Sequence, residues 1–517
     1  MSEIGQPPDT IDNRRVARGL GSTILGRLGA VIEIVAQPLY VVMFGLAGYG
    51  LYAVLWAAVN LIENIFDLGM TSAMQRTVPQ SASHADAAEA LRTALLFGVG
   101  PCILVATGIS LSADQIAPLL NVAAEDQALV TPAIRLFVWT LPLWALVEIT
   151  TSALRARMVF GPEIRLRIMW EQMMRLGFAA LFFAMGMGLR GLFIAHIISL
   201  TLTAILCVRL LQRYYQFAEL RRGKLWGKTA QDTVRAGLAI LPSNVIARLF
   251  GDSPALILNL LLPGAAGARA AGLFTIARKL SSVVQLVRIA FVYVMAPLAA
   301  SAEKADRAQV KAIYSYALRL VLAIAFPLAA VLAAGRSSLL SLFGDQAQVA
   351  QAAVAILLFA RAIEALLGIS VPVLQVISAY RHQLTASLIG VLGALVAAWL
   401  LVGRIDPLTG ITLAMSFGIV VMAGIPMLQL MINDGLHPFD RRFPAVAMTV
   451  MAISLGAGAA AWLASGLPDP AAIPAVVFIA AAAIWASLRF ALPFDDRASL
   501  GKVGRKMRLV PAGLADS

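Results

Sequence analysis

Residues 271–299, AGLFTIARKLSSVVQLVRIAFVYVMAPLA, are apolar enough to lie in lipid and contain no Asp or Glu, yet they carry Arg278, Lys279 and Arg288. A charge near the bilayer centre costs about 2.5–3.5 kcal/mol on the insertion scale. Three cations in one segment therefore need either a wet cavity or acids on other segments. Guanidinium forks bind diphosphate bidentately and an ammonium binds it as a point charge, so the chemistry open to this set is capture of a phosphorylated anion. Arg278, Ser282 and Gln285 follow helical spacing, and Arg288 extends the stripe with a small rotation. The preceding segment contains RLFGDSP, in which Arg248 and Asp252 are four apart on one helical face. Arg248 is expected about 20 Å into its span, near the midplane. Gly251 and Pro254 suggest a break that exposes backbone to a substrate or ion. The plainer alternative is a structural Arg248–Asp252 pair beside a proline kink.

Other charges fall inside apolar runs. Arg27 lies about eight residues into the first span, where a long side chain can snorkel. Glu33, Gln37 and Pro38 lie higher in that span. In NLIENIFDLG, residues Asn60, Glu63, Asn64 and Asp67 share one helical face that must meet a cavity or a neighbouring helix. Arg27, Arg248, Arg278, Lys279 and Arg288 are thus the candidate anion ligands, and Glu33, Glu63, Asp67 and Asp252 the candidate cavity or ion-coupling acids. Arg167, Glu171 and Arg175 form an i, i+4, i+8 ladder, and Arg361 and Glu364 are three apart; both sets read as structural pairs, and Glu148 reads as isolated. The four histidines are scattered, and the two cysteines, Cys102 and Cys207, have no metal-site spacing. No catalytic or nucleotide-binding motif is present. The expectation is a protein without enzymatic activity, metal or cofactor.

These residues need a membrane scaffold. The chain has 517 residues, 60% hydrophobic and 13% charged, with mean hydropathy +0.82. That composition belongs to an all-α polytopic membrane protein. The net charge of +13 is not organised with aromatic residues as a nucleic-acid face. Fourteen spans are expected, at about 19–45, 49–75, 92–112, 129–154, 164–187, 190–213, 233–262, 267–298, 313–335, 348–379, 383–403, 408–433, 443–466 and 470–491. With the N-terminus inside, 29 of the 41 Lys and Arg fall in inside segments, and outside loops hold only Arg190, Arg269, Arg336 and Arg404. This bias places both termini in the cytoplasm. No cleavage-type leader follows residues 1–16, so the first helix is expected to stay as an anchor.

The expected organisation is a cytoplasmic tail (1–18), an N-lobe of six helices (19–213), a basic cytoplasmic linker (214–232), a C-lobe of six helices (233–433), two further helices (443–491) and a basic cytoplasmic tail (492–517). ILGRLGA around Arg27 and VIARLFG around Arg248 lie 221 residues apart. Gly50-Leu51-Tyr52 and Gly272-Leu273-Phe274 lie 222 apart. Six helices separate the copies, so the lobes form a parallel repeat.

The run YGLYAVLWAAVNLIENIFDLGMTSAMQR resembles the first-loop and second-helix pattern of polysaccharide-export flippases. AAGLFTIARKLSSVVQLVRIAFVYVMAPLAAS resembles their eighth helix. The superfamily is that of the multidrug, oligosaccharidyl-lipid and polysaccharide flippases. The resemblance implies two lobes around a cationic cavity and alternating access, with Arg27, Asp67, Arg278 and Lys279 carried over. The expected function is movement of a polyprenyl-diphosphate-linked oligosaccharide across the bacterial inner membrane for exopolysaccharide, O-antigen or related glycan synthesis. The lipid-linked oligosaccharide and membrane lipids are the expected partners, with a glycan polymerase and export machinery beside them. The competing readings are a cation-coupled multidrug exporter of the same superfamily, a major-facilitator transporter, and a non-transporting scaffold of an envelope-synthesis complex. The major-facilitator loop motif is missing after the second span.

Overall fold

In the computed structural model, residues 13–81, 83–157, 159, 164–216, 218, 220, 226–303, 307–377 and 381–510 are described; the side chains of 13–34, 164, 168, 290–303, 307–309, 375–377, 381–383, 469 and 501–503 are not. The chain is helical and, among the described residues, forms no β-strand beyond one isolated bridge, Val402 to Ile405. Eleven helical stretches among the described residues are long and apolar enough to cross a membrane.

The first run, α1 (Asn13–Phe66), has 54 residues. At 1.5 Å per residue it would measure about 80 Å, far beyond the ~30 Å hydrocarbon core. Gly45 resolves this conflict. Its φ of 73° and ψ of 160° lie in a region open essentially to glycine alone, and there the two expected spans separate. A second break at Leu68 and Gly69, both with positive φ, leads into α2 (Met70–Thr77). Next come α3 (His84–Ala94), closed by a Ser83–Asp86 capping box, and α4 (Gly100–Leu111), joined by a π-turn just before Pro101. The fourth expected span is divided into α5 (Gln127–Phe137) and α6 (Thr140–Ala156). A π-turn at Ile164–Trp170 precedes α7 (Glu171–Ala184), followed by α8 (Gly188–Leu211).

The second part contains α9 (Lys228–Leu261), α10 (Ala265–Glu303), α11 (Arg307–Ala334), α12 (Gln351–Leu367), α13 (Ser370–Ile377), α14 (Arg381–Leu401), α15 (Pro407–Asn433), α16 (Phe443–Ala464) and α17 (Asp469–Ala486). Three expected spans lie outside the eleven. The first is joined to the second in α1. The other two, around α7 and in α9, carry Arg167, Glu171 and Arg175, and Arg248 and Asp252, which lower their mean hydropathy.

The chain divides into two compact units. One comprises Met1–Gly48, Leu55–Leu120 and Ala124–Val245; the other Tyr49–Val54, Asn121–Ala123 and Ile246–Ser517. The division falls inside α9. The first unit packs Met70, Met74, Leu91, Ile149, Leu154 and Leu211 into one cluster. Beside Trp56 it holds a ring assembly of Trp144, Phe137 and His196, with centroid distances of 5.4, 6.3 and 4.4 Å.

In the second unit the two repeated motifs meet. A Cβ built on Gly50 would lie 1.8 Å from the Ala268 carbonyl oxygen and 3.2 Å from the Gly272 nitrogen. Only glycine permits that backbone approach, and Gly50 and Gly272 are the matching positions of the repeat. Leu388, Leu392, Leu395, Val396 and Trp399 of α14 recur at helical spacing and are exposed, the pattern of a lipid-facing side. α16 docks on α11 through Val446 and Val450 against Leu320, Leu322 and Ala323.

Candidate anion-binding site

α9 and α10 are joined by a tight turn in which Gly264 has φ 57°, so they run antiparallel. Helical Cα–Cβ bonds tilt toward the N-terminus, so the Arg278 side chain points back toward this turn, to the level of Asp252. Arg278 Nη1 donates to Asp252 Oδ1 at 2.7 Å and to the Gly251 carbonyl, also at 2.7 Å. A Cβ at 251 would stand 3.4 Å from that nitrogen, an ordinary van der Waals contact. This corrects the expected grouping, because Asp252 pairs across to α10. Asp252 is 3% exposed, whereas the Arg278 side chain keeps 23%. The acid is an internal anchor, and the cation is the accessible member. Arg248 and Lys279 are half-buried and each has an interaction partner.

Arg288 also reaches a carboxylate on another helix. Its Nε lies 3.3 Å from Glu364 Oε1, while Arg361 Nη1 donates to Glu364 Oε2 at 2.6 Å. Glu364 thus stands between two arginines, one more than the local three-residue spacing indicates. The Arg288 side chain is 27% exposed and Glu364 6%. Across α9 from Ile246, residues 271–289 of α10, and α12, five cations (Arg248, Arg278, Lys279, Arg288, Arg361) face two acids (Asp252, Glu364). Pairing therefore leaves a positive excess within this unit.

The side chains of Arg27 and Glu33 lie outside the described residues. Asn60, Glu63 and Asp67 of the first unit are all buried. Asp67 Oδ2 accepts from the Thr71 N–H at 3.1 Å. Its Oδ1 is buried without a hydrogen-bond partner among the described residues, and a Cβ on Gly98 would lie 2.9 Å from it. This stripe therefore faces a neighbouring helix.

Glu148 is not isolated: Arg167 donates to it and lies 5.0 Å from the Trp144 ring centroid. The ladder is divided accordingly. Arg175 turns to Glu171, with Nε 3.6 Å from Oε1, donates to Gln172, and approaches His196 Nε2 at 3.5 Å. Among the described residues no group of three or more His, Cys, Asp and Glu is arranged to hold a metal ion.

Sequence reasoning also missed a clamp. Arg319, one of the 29 cations assigned above to inside segments, is only 6% exposed in its side chain and is gripped by two acids. Its Nε and Nη2 donate to Asp496 at 2.7 and 2.9 Å, and its Nη1 donates to Asp440. Its place six residues inside the expected 313–335 span is the signal that marks it as more than a loop charge.

Comparison with known proteins agrees with this architecture. Among solved structures, the lipid II flippase MurJ in an inward-closed conformation superposes with a TM-score of 0.67 at 11% identity, covering 89% of this chain and 97% of that one. An inward-facing multidrug resistance MATE family transporter of the MOP superfamily gives 0.62 at 16% identity, over 80% and 94%. The MATE multidrug transporter DinF-BH gives 0.61 at 13% identity, over 85% and 100%. No curated protein matches the sequence. At these identities the likeness establishes the fold. A family model described as "Polysaccharide biosynthesis protein" matches residues 43–351, more than half of the chain, and includes α9 and α10 with their cations. The chain therefore belongs to the polysaccharide biosynthesis protein family, built on the fold shared by MurJ and the MATE transporters.

Proposed function

We propose that the protein moves a polyprenyl-diphosphate-linked oligosaccharide from the inner to the outer leaflet of the bacterial inner membrane by alternating access, serving exopolysaccharide, O-antigen or related glycan synthesis. The observation that carries this reading is the cationic excess on α9, α10 and α12, with Arg278 anchored by a buried Asp252 yet still accessible. An accessible guanidinium can donate through its fork to two diphosphate oxygens at once. Arg248, Lys279 and Arg288 supply the remaining charge. The family description favours a glycan precursor over a drug, and a positive excess disfavours a cationic one.

In this mechanism the incoming diphosphate competes with Asp252 for the Arg278 Nη1 hydrogen bonds. The carboxylate freed in that exchange is the place for a coupled cation. The membrane potential, inside negative, adds about 2.3 kcal/mol per charge per 100 mV in favour of anion export. The lipid tail stays in the bilayer throughout. Deletion of the gene, with the glycosyltransferases and polymerase intact, is expected to accumulate an undecaprenyl-linked intermediate on the inner leaflet. Normal intermediate levels together with normal glycan output would contradict the proposal.

A further inference from the structure

The first half of α9, up to Val245, packs within the first unit against the segment around α2. A Cβ on Gly69, where φ is 73°, would lie 2.2 Å from the Gly237 carbonyl oxygen, and a Cβ on Gly237 would meet the Leu68 carbonyl oxygen at 2.6 Å. Asn244 Nδ2 donates to Ser72 Oγ at 3.0 Å, and the Ala230 N–H donates to Glu89 Oε1 at 3.0 Å. This close backbone approach frames a cleft of about 390 Å³ lined by Arg76, Thr77, Gln80, Asp232, Arg235 and Ala236.

Arg76 closes the last turn of α2 and Arg235 lies at the start of the third turn of α9. Neither has a hydrogen-bond or ion-pair partner among the described residues, and Asp232 is the one acid in the lining. Two guanidinium groups held in one cleft repel each other, and a bound anion removes that repulsion and accepts from both forks. Gln80 adds a neutral donor.

We infer that this cleft is a second anion site, separate from the α9–α10–α12 cations, and that it takes a phosphate group. The ligand is either the headgroup of an anionic membrane lipid or a free phosphate compound, and binding ties the first half of α9 to α2. The inference does not depend on the proposed transport substrate.

The test uses the purified full-length protein, followed by thermal unfolding in two arms. In detergent it is titrated with inorganic pyrophosphate. In nanodiscs, phosphatidylglycerol is compared with phosphatidylcholine. Arg76→Gln and Arg235→Gln, both at exposed positions, are run beside Arg278→Gln, and each variant's ligand-free melting temperature reports on folding. A Ser72→Cys/Asn244→Cys pair, whose cross-link forms only if the junction is intact, reports the same within Arg76→Gln.

A rise in melting temperature that Arg76→Gln and Arg235→Gln each diminish and that Arg278→Gln does not abolish supports the site. If the rise comes with pyrophosphate, the ligand is a free phosphate; if only with phosphatidylglycerol, it is a lipid headgroup. No rise in either arm, or a rise undiminished in Arg76→Gln and Arg235→Gln, would overturn the inference.

Discussion

At the residue scale, the balance at Arg278 decides what a substitution does. Removing one partner of a buried ion pair strands the other and costs about 3–5 kcal/mol. Arg278→Gln would strand Asp252, which is 3% exposed, so it is expected to lower both the melting temperature and transport. Arg278→Gln/Asp252→Asn removes both charges. It is expected to recover most of the melting temperature while leaving transport lost, which separates folding from anion capture. A charged hydrogen bond contributes about 1.5–3 kcal/mol, so Asp252→Asn alone, which frees the guanidinium, is expected to shift pyrophosphate affinity by about 10- to 100-fold toward tighter binding, measured by titration calorimetry. These residues were legible in the sequence as a group, since apolar surroundings make each charge conspicuous. Their partners were not. Asp252 was read against Arg248 because four-residue spacing is visible along a chain, whereas the antiparallel return that places Arg278 opposite it is visible only in three dimensions. Glu148 was read as isolated for the same reason.

At the element scale, glycines set the bends and crossings. Gly45 has open space around a built Cβ, so Gly45→Ala meets only the backbone penalty of its φ and ψ, about 1–3 kcal/mol. Gly50→Ala is a different case: its Cβ would collide with the Ala268 carbonyl, and the α10 backbone must move. The melting temperature of Gly50→Ala is therefore expected to fall further than that of Gly45→Ala. Sequence spacing marked both positions, Gly45 as the end of a span and Gly50 as a repeated motif. That the two motif copies touch follows from their equivalent placement and could not be read from a short match. The Arg319 clamp acts at this scale too. It fastens the α15–α16 connection, through Asp440, and the segment after α17, through Asp496, to α11. Arg319→Gln is expected to destabilise the protein by about 3–5 kcal/mol, read as a drop in melting temperature, while the exposed Arg442–Asp495 pair contributes under about 1 kcal/mol.

At the scale of the whole molecule, the polytopic helical fold was the most legible feature, because runs of about 20 apolar residues have few alternatives in a chain this greasy. The spans around α7 and α9 meet the apolar criterion less well, since the charges that suggest function also dilute hydropathy. Loop arginines predict which side each connection faces. Single cysteines placed at Arg190, Arg269, Arg336 and Arg404 are expected to react with an impermeant maleimide in intact cells whose outer membrane has been permeabilised, and cysteines at Arg76 and Arg442 only after lysis. The reverse pattern would invert the orientation. The proposed transport rests on the cations of α9 and α10 receiving a diphosphate headgroup. Its most direct test is flipping of a labelled undecaprenyl-diphosphate oligosaccharide in proteoliposomes, comparing the native protein with Arg278→Gln/Asp252→Asn matched for melting temperature. Transport by the native protein and none by the variant is the expected result; equal transport by both, or a native protein that carries a cationic dye and not the lipid, would contradict it.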